Sequence, residues 1–365
     1  MNLPTTNESK NLKLATEKAN RFMLPMAALG LAIGQESQTL YAACMDGVYS
    51  IDSKSKDYQK LYEHGSYASS VVYFPELNQI VSAGYDGILK WYDLESQSVI
   101  REIKAHSFWS WDLARAADSP VFASVSGQYL AGGYRYEPRP ADEPCVKVYN
   151  AESGETVAEM EYLPPVQSVA LNAAGDRIAA GNLMGDVGLW DASGKLLGSA
   201  SSQDFTAFGH IKSHCQVGGI YAAAFDPRND EVLVAGMGPM RDPMAGNGKQ
   251  RWHRYLLDGE TLKRSAASND KQVGEGLMET LAFHPSGKFF VMAGRLRGGN
   301  WDVGFFDSNS GDLIHSLKRS RRITHAEFSA DGSQVLLAEA GKQVKDANNE
   351  FGMLESYSIQ FEGDA

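Results

Sequence analysis

Cysteine is scarce: Cys44, Cys145 and Cys215 are the only three in 365 residues, and none stands in a CxxC pair. An odd, widely spaced set excludes a disulfide framework and fits a reducing compartment. Positive charge is also short, with 34 Lys and Arg against 45 Asp and Glu and a formal net charge of −11. That balance argues against a nucleic-acid binder, which needs a basic surface to neutralise phosphates. Long apolar runs are missing too. None approaches the roughly 18 residues of a membrane helix. The nearest, FMLPMAALGLAI at 22–33, is interrupted by Pro25 and preceded by a long polar region carrying Glu8 and Glu17. Those features suit a core strand better than a secretory signal, and the expected location is cytoplasmic.

Extended helical periodicity is absent as well, and what replaces it is a repeat. VSAGYDGILKWYDLESQ (81–97) has counterparts in YAACMDGVYSIDS (41–53) and AAGNLMGDVGLWDAS (179–193). Each unit opens with an alternating apolar segment, such as YAAAFDPRND (221–230) or THAEFSADGS (324–333). A second apolar run follows, and a third closes on Asp52, Asp93, Asn150, Asp191, Asp258 or Asp307. Period-two alternation in short runs bounded by Gly, Pro, Asn and Asp is strand patterning, and 36 glycines supply the turns. Asp52 to Asp93 and Asn150 to Asp191 are each one step of roughly 40 residues apart. A four-stranded unit at that period is a β-propeller blade.

First strands fall near Met26, Ser69, Ser110, Gln167, Ile220, Glu279 and Thr324, which makes seven units. The last, about 323–360, stops at its third strand, while the segment at about 12–20 has no local partner. An unpaired edge invites association, so that N-terminal segment is expected to complete the last unit. The expectation is a single all-β domain over 1–365: a seven-bladed β-propeller of four-stranded antiparallel blades.

GDVGLWD (185–191) and YDGILKWYD (85–93), with Glu63-His64 and Ala105-His106, resemble the WD40-repeat family, although only the first carries a true Trp-Asp ending. The resemblance implies the same propeller, with His64, Ser82 and Asp86 in a buried hydrogen-bond network. It also implies a scaffold that binds protein or peptide partners.

The loops divide unequally. Turns joining first to second and third to fourth strands are short. The long insertions all join second to third strands or one unit to the next: 106–111, 128–144, 201–219, 236–250, 294–301 and 339–352. In a propeller these share one face. They carry Trp109, Trp111, Tyr134, Arg135, Tyr136, Phe208, His214, Met240, Arg241, Arg295, Arg297 and Trp301. Aromatic and Arg side chains dominate interface energetics, so these twelve form the candidate binding set. The expected partner is a protein or peptide, an acidic segment suiting the Arg rim. No nucleic acid, membrane, cofactor or metal is expected.

Catalytic motifs are missing. GMGPMRDPMAGNGK (236–249) lacks the phosphate-loop register, HIKSHC (210–215) has no second metal-capable cluster, and no GxSxG elbow occurs. The alternative is an enzyme or small-ligand sensor with a polar pocket at the same mouth, using His106, His214, Arg241, Arg297 and Asp302.

Overall fold

Strand burial follows the sequence pattern. ASSVVYF (Ala68–Phe74) is buried at every position, whereas SVIREIK (Ser98–Lys104), the fourth strand of the same unit, alternates between exposed and half-buried. Inner strands covered on both sides need continuous apolar or small residues; outer strands keep one wet face. The computed structural model describes residues 13–35, 38–128, 142–206, 218–239, 248–341 and 352–362. Among these there is no α-helix and no helix long and apolar enough to cross a membrane.

The chain is all-β and built of four-stranded antiparallel runs. Residues 28–62, 68–104 and 110–160 form one four-stranded sheet each. Residues 166–201 and 219–267 form two runs joined into an eight-stranded sheet by the single pair Ser199–Thr261. Residues 275–317 join the final run in the same way through Arg295–Arg322. The first strands lie side by side in a closed cycle, Ala28–Ile33 touching both Ala68–Phe74 and Arg322–Phe328. Neighbouring runs share apolar clusters: Val146 and Met160 pack with Val166 and Ile178, and Leu233 and Trp252 with Met278 and Phe290.

The closing Asp or Asn of most repeats has a local cause. Asp52 Oδ1 accepts the Lys54 and Ser55 amides at 2.8 and 2.7 Å, and Asp307 Oδ1 accepts those of Asn309 and Ser310 at 2.8 and 2.7 Å. Asn150 does the same with Glu152 and Ser153. Each side chain caps the hairpin between third and fourth strands. Gly154, Gly194 and Gly311 then take positive φ where the turn re-enters the strand.

The terminal segments pair as expected and more extensively. Lys13–Leu24 runs antiparallel to Gly352–Glu362, from Lys13 opposite Glu362 to Leu24 opposite Gly352. Phe22 and Leu24 enter the cluster of Leu31, Leu336 and Leu354, which spans the last run and the first. Two carboxyls are fully buried at this seam. Glu355 is held by Lys18, by Arg21 at 2.8 Å, by Arg319 and by the Tyr357 hydroxyl at 2.7 Å. The Glu339 carboxyl makes no hydrogen bond among the described residues and lies 3.6 Å from the guanidinium groups of Arg319 and Arg321.

Burial first, then the charge of Glu355, raises the Glu339 carboxyl above the ordinary range, with Arg319 and Arg321 opposing. Burial acts the same way on Glu355, but Lys18, Tyr357, Arg21 and Arg319 outweigh it and hold that carboxyl low. Glu339 therefore takes up a proton on folding. Its contribution is full below the unfolded carboxyl pKa and is lost as pH rises through its raised value. Glu355 works in the opposite sense, its contribution vanishing as pH falls below the ordinary range. Asp112 and Glu327, each pushed up to about 7 by burial, add to the first trend. These three carboxyls lower the melting temperature between about pH 5 and about pH 8, against buried His106, His253 and His325, whose depressed values work in the opposite sense. Glu339→Gln should melt above the parent at the upper end only. Parallel pH profiles for the two proteins would rule out Glu339 as a source of the slope.

Candidate binding face

The face begins with a hydrogen-bond network at the second unit. His64 bridges Ser82 Oγ at 2.8 Å and Asp86 Oδ1 at 3.3 Å. The Tyr62 hydroxyl donates to Ser82 Oγ at 2.9 Å. Asp86 also accepts the Gly65 amide at 2.7 Å and the Ile88 amide at 3.0 Å. The three side chains singled out in the sequence are thus in contact. They pin the turn that carries Tyr85 against the connection that carries Tyr67, and the Tyr85 amide donates to Tyr67 O at 2.9 Å.

On this support sits a group of five rings. Tyr85 stacks on Trp109 at 4.6 Å and 8°, and Phe108 stacks on Trp109 at 5.1 Å and 11°. Trp111 meets Tyr85 and Trp109 edge-on at 5.3 and 5.2 Å, while its Nε1 donates to Gly127 O at 3.1 Å. Tyr67 leans on Tyr85 at 5.8 Å. Trp109 and Tyr67 are 40% and 41% exposed, so the outermost rings present apolar surface that the fold itself does not cover.

Beside the rings opens the central cavity, about 710 Å³, lined by residues from the first strands of all seven runs. Arg322 grips Glu279 in it with three bonds of 2.6–2.9 Å. Asp112 also lines the cavity; its carboxylate accepts the Leu113 amide at 2.9 Å and lies 3.4 Å from Val169 N and Ser70 Oγ. Among the described residues no three His, Cys, Asp or Glu side chains converge for a metal ion.

The twelve expected residues fare unequally. Trp109 is exposed, and Trp111 is a half-buried brace beneath it. Arg295 and Arg297 are exposed on the same face, but not in a loop. The strand Phe289–Gly298 continues through them, paired with Glu275–Phe283, and its alternation turns both guanidinium stems outward around Leu296. Trp301 is a correction. It is 2% exposed, packs edge-on against Phe306 at 5.7 Å and donates Nε1 to Gln272 O at 3.0 Å. A ring with both its apolar body and its N–H satisfied internally offers nothing to a partner. Tyr134, Arg135, Tyr136, Phe208, His214, Met240 and Arg241 lie outside the described residues.

Two polar candidates of the enzyme reading are structural. His106 is buried with Nε2 2.9 Å from Ser124 Oγ, and burial pushes its pKa down to about 3. Asp302 is buried and accepts the Arg319 and Ser320 amides at 2.7 and 2.6 Å. Tyr67, Tyr85 and Phe108, not in the expected set, complete the ring cluster. Tyr85 and Tyr67 occupy ordinary repeat positions, and only their tertiary proximity marks them. Comparison with family models and with characterised proteins returns no match for this chain.

Proposed function

We propose that the chain is a seven-bladed β-propeller of the WD40 type, acting in the cytoplasm as a protein- or peptide-binding scaffold. The closed cycle of first strands and the shared apolar clusters support the propeller. Cys44 and Cys145, buried and free, accord with a reducing compartment. The observation that carries the binding reading is the five-ring cluster at the cavity mouth, with Trp109 and Tyr67 outermost. Exposed, mutually braced aromatic rings lose little entropy on contact and make strong anchors.

Trp109→Ala should weaken partner binding by about 2 kcal/mol or more, a factor of roughly thirty in Kd. Its stability should change by only about 1 kcal/mol, the worth of its ring stacking. Asp176→Ala, in a short turn on the opposite face, should leave binding alone. Quantitative affinity capture with the three proteins, alongside their melting curves, decides the matter. Partners that stay with Trp109→Ala and leave with Asp176→Ala would reverse the assignment of the working face.

The second reading, a small-ligand pocket at the same mouth, draws on the Glu279–Arg322 pair and Asp112 in the central cavity. It predicts that Glu279→Gln, rather than Trp109→Ala, abolishes ligand binding.

A further inference from the structure

The same face holds a second concavity, of about 1100 Å³, between the sixth, seventh and first units. Five cationic side chains line it: Arg295, Arg297, Lys318, Arg321 and Arg322. Its apolar lining includes Met26, Met45 and Leu296, and Tyr67 of the ring cluster stands at its edge.

The state of those cations matters more than their number. Arg295 and Arg297 are exposed and make no ion pair among the described residues. Lys318 donates to the neutral Gly299 carbonyl at 3.2 Å. Arg321 lies 3.6 Å from the buried Glu339, which also faces Arg319. The nearby carboxylates leave Arg295, Arg297 and Lys318 without an ion pair among the described residues. Glu279 is occupied by Arg322, and Glu275, opposite Gly298 at the end of the hairpin, makes no ion pair with Arg295 or Arg297 among the described residues. A protein of net charge −11 has thus gathered Arg295, Arg297 and Lys318, without ion pairs among the described residues, over an apolar floor. Such a patch draws in an anionic ligand from the bulk.

We infer that this cleft binds an acidic peptide segment in which carboxylates alternate with apolar side chains. The carboxylates would meet Arg295 and Arg297, whose planar forks suit bidentate contacts, and the apolar residues would enter against Met26, Met45 and Leu296. At about 1100 Å³ the cleft has room for several residues of a chain, far more than one inorganic anion fills. A nucleic acid is disfavoured because the rest of the surface repels a long polyanion.

The inference rests on the proposed use of this face, and its test is separate from the capture experiment. The probe is a fluorescein-labelled octapeptide of alternating Glu-Glu and Leu-Leu pairs, titrated by anisotropy onto the full chain. It should bind, weaken as salt rises, and lose at least tenfold in affinity on the Arg295→Glu/Arg297→Glu double variant. Arg295→Lys/Arg297→Lys, which keeps the charge but loses the bidentate forks, should fall between the parent and the reversal, and an all-Glu octapeptide should bind more weakly than the probe. Both residues are exposed, so each variant should melt with the parent; Arg297→Gln provides a milder check if the reversal does not fold. Equal affinity for parent and reversed variants would overturn the inference. So would equal binding of a Lys-Leu octapeptide, tighter binding of a single-stranded oligonucleotide, or self-association that the reversal abolishes. If Trp109→Ala loses its captured partners while the probe ignores the Arg variants, the cleft is wrong and the face stands. The opposite pair of results would leave the cleft standing and the face reading refuted.

Discussion

A chain lacking residues 1–24 is expected to aggregate and to lose most of its stability. Those residues include the strand Lys13–Leu24, which covers the edge of Gly352–Glu362 along its whole length. Removing it strips Leu14, Phe22 and Leu24 from two apolar clusters. Each such side chain is worth roughly 1.5–3 kcal/mol. It also takes Lys18 and Arg21 from Glu355, leaving it Arg319 and the Tyr357 hydroxyl. These losses together rival the whole stability of a typical domain, about 5–15 kcal/mol. The exposed edge would then offer unpaired N–H and C=O groups to a second molecule. Size-exclusion chromatography and calorimetry should show multimers and a sharply lower melting temperature. A synthetic peptide of residues 13–24 should restore part of both. A truncated protein that stays monomeric and melts like the parent would mean that the last unit does not depend on this strand.

Trp301→Ala should destabilise by about 3–5 kcal/mol, the cost of emptying a buried aromatic site. The ring fills the space between Phe306, Gly304 and the Gln272 backbone, and the Trp301 carbonyl accepts Gln250 Nε2 at 3.0 Å. Trp301→Phe should keep most of the packing and lose about 1 kcal/mol with the Nε1 hydrogen bond. Urea denaturation of the two variants beside Trp109→Ala should rank Trp301→Ala far below the others. Equal midpoints for Trp301→Ala and Trp109→Ala would show that the Trp301 site collapses around the missing ring.

The contrast between these two tryptophans marks where reading the residues runs out. Both stand in connections on the same face, and both are large aromatics followed directly by a polar residue, Ser110 or Asp302. Trp109 finds its neighbours in Tyr85 and Phe108, which only stack on it. Trp301 finds a carbonyl for its N–H and a core for its ring. Arg295 and Arg297 were legible as cations of the face. Their hairpin setting was not, because RLRG carries no strong strand signal and its pairing comes from Glu275 to Phe283 across the turn.

Local chemistry determined the units directly. Period-two alternation built the strands, Asp52, Asn150 and Asp307 capped their own hairpins, and small residues filled the inner strands, since each of these effects acts within a few residues. The pairing of the two termini was also readable, because a repeat missing its fourth strand and a strand missing its partner leave one economical solution. Tertiary structure alone decided which side chains remain for a partner. The stacking of Tyr67, Tyr85 and Trp109, and the meeting of Arg295 and Arg297 with Lys318 and Met45, join residues far apart in the chain. Side-chain exposure depends on what other segments cover, and no spacing within one segment encodes that.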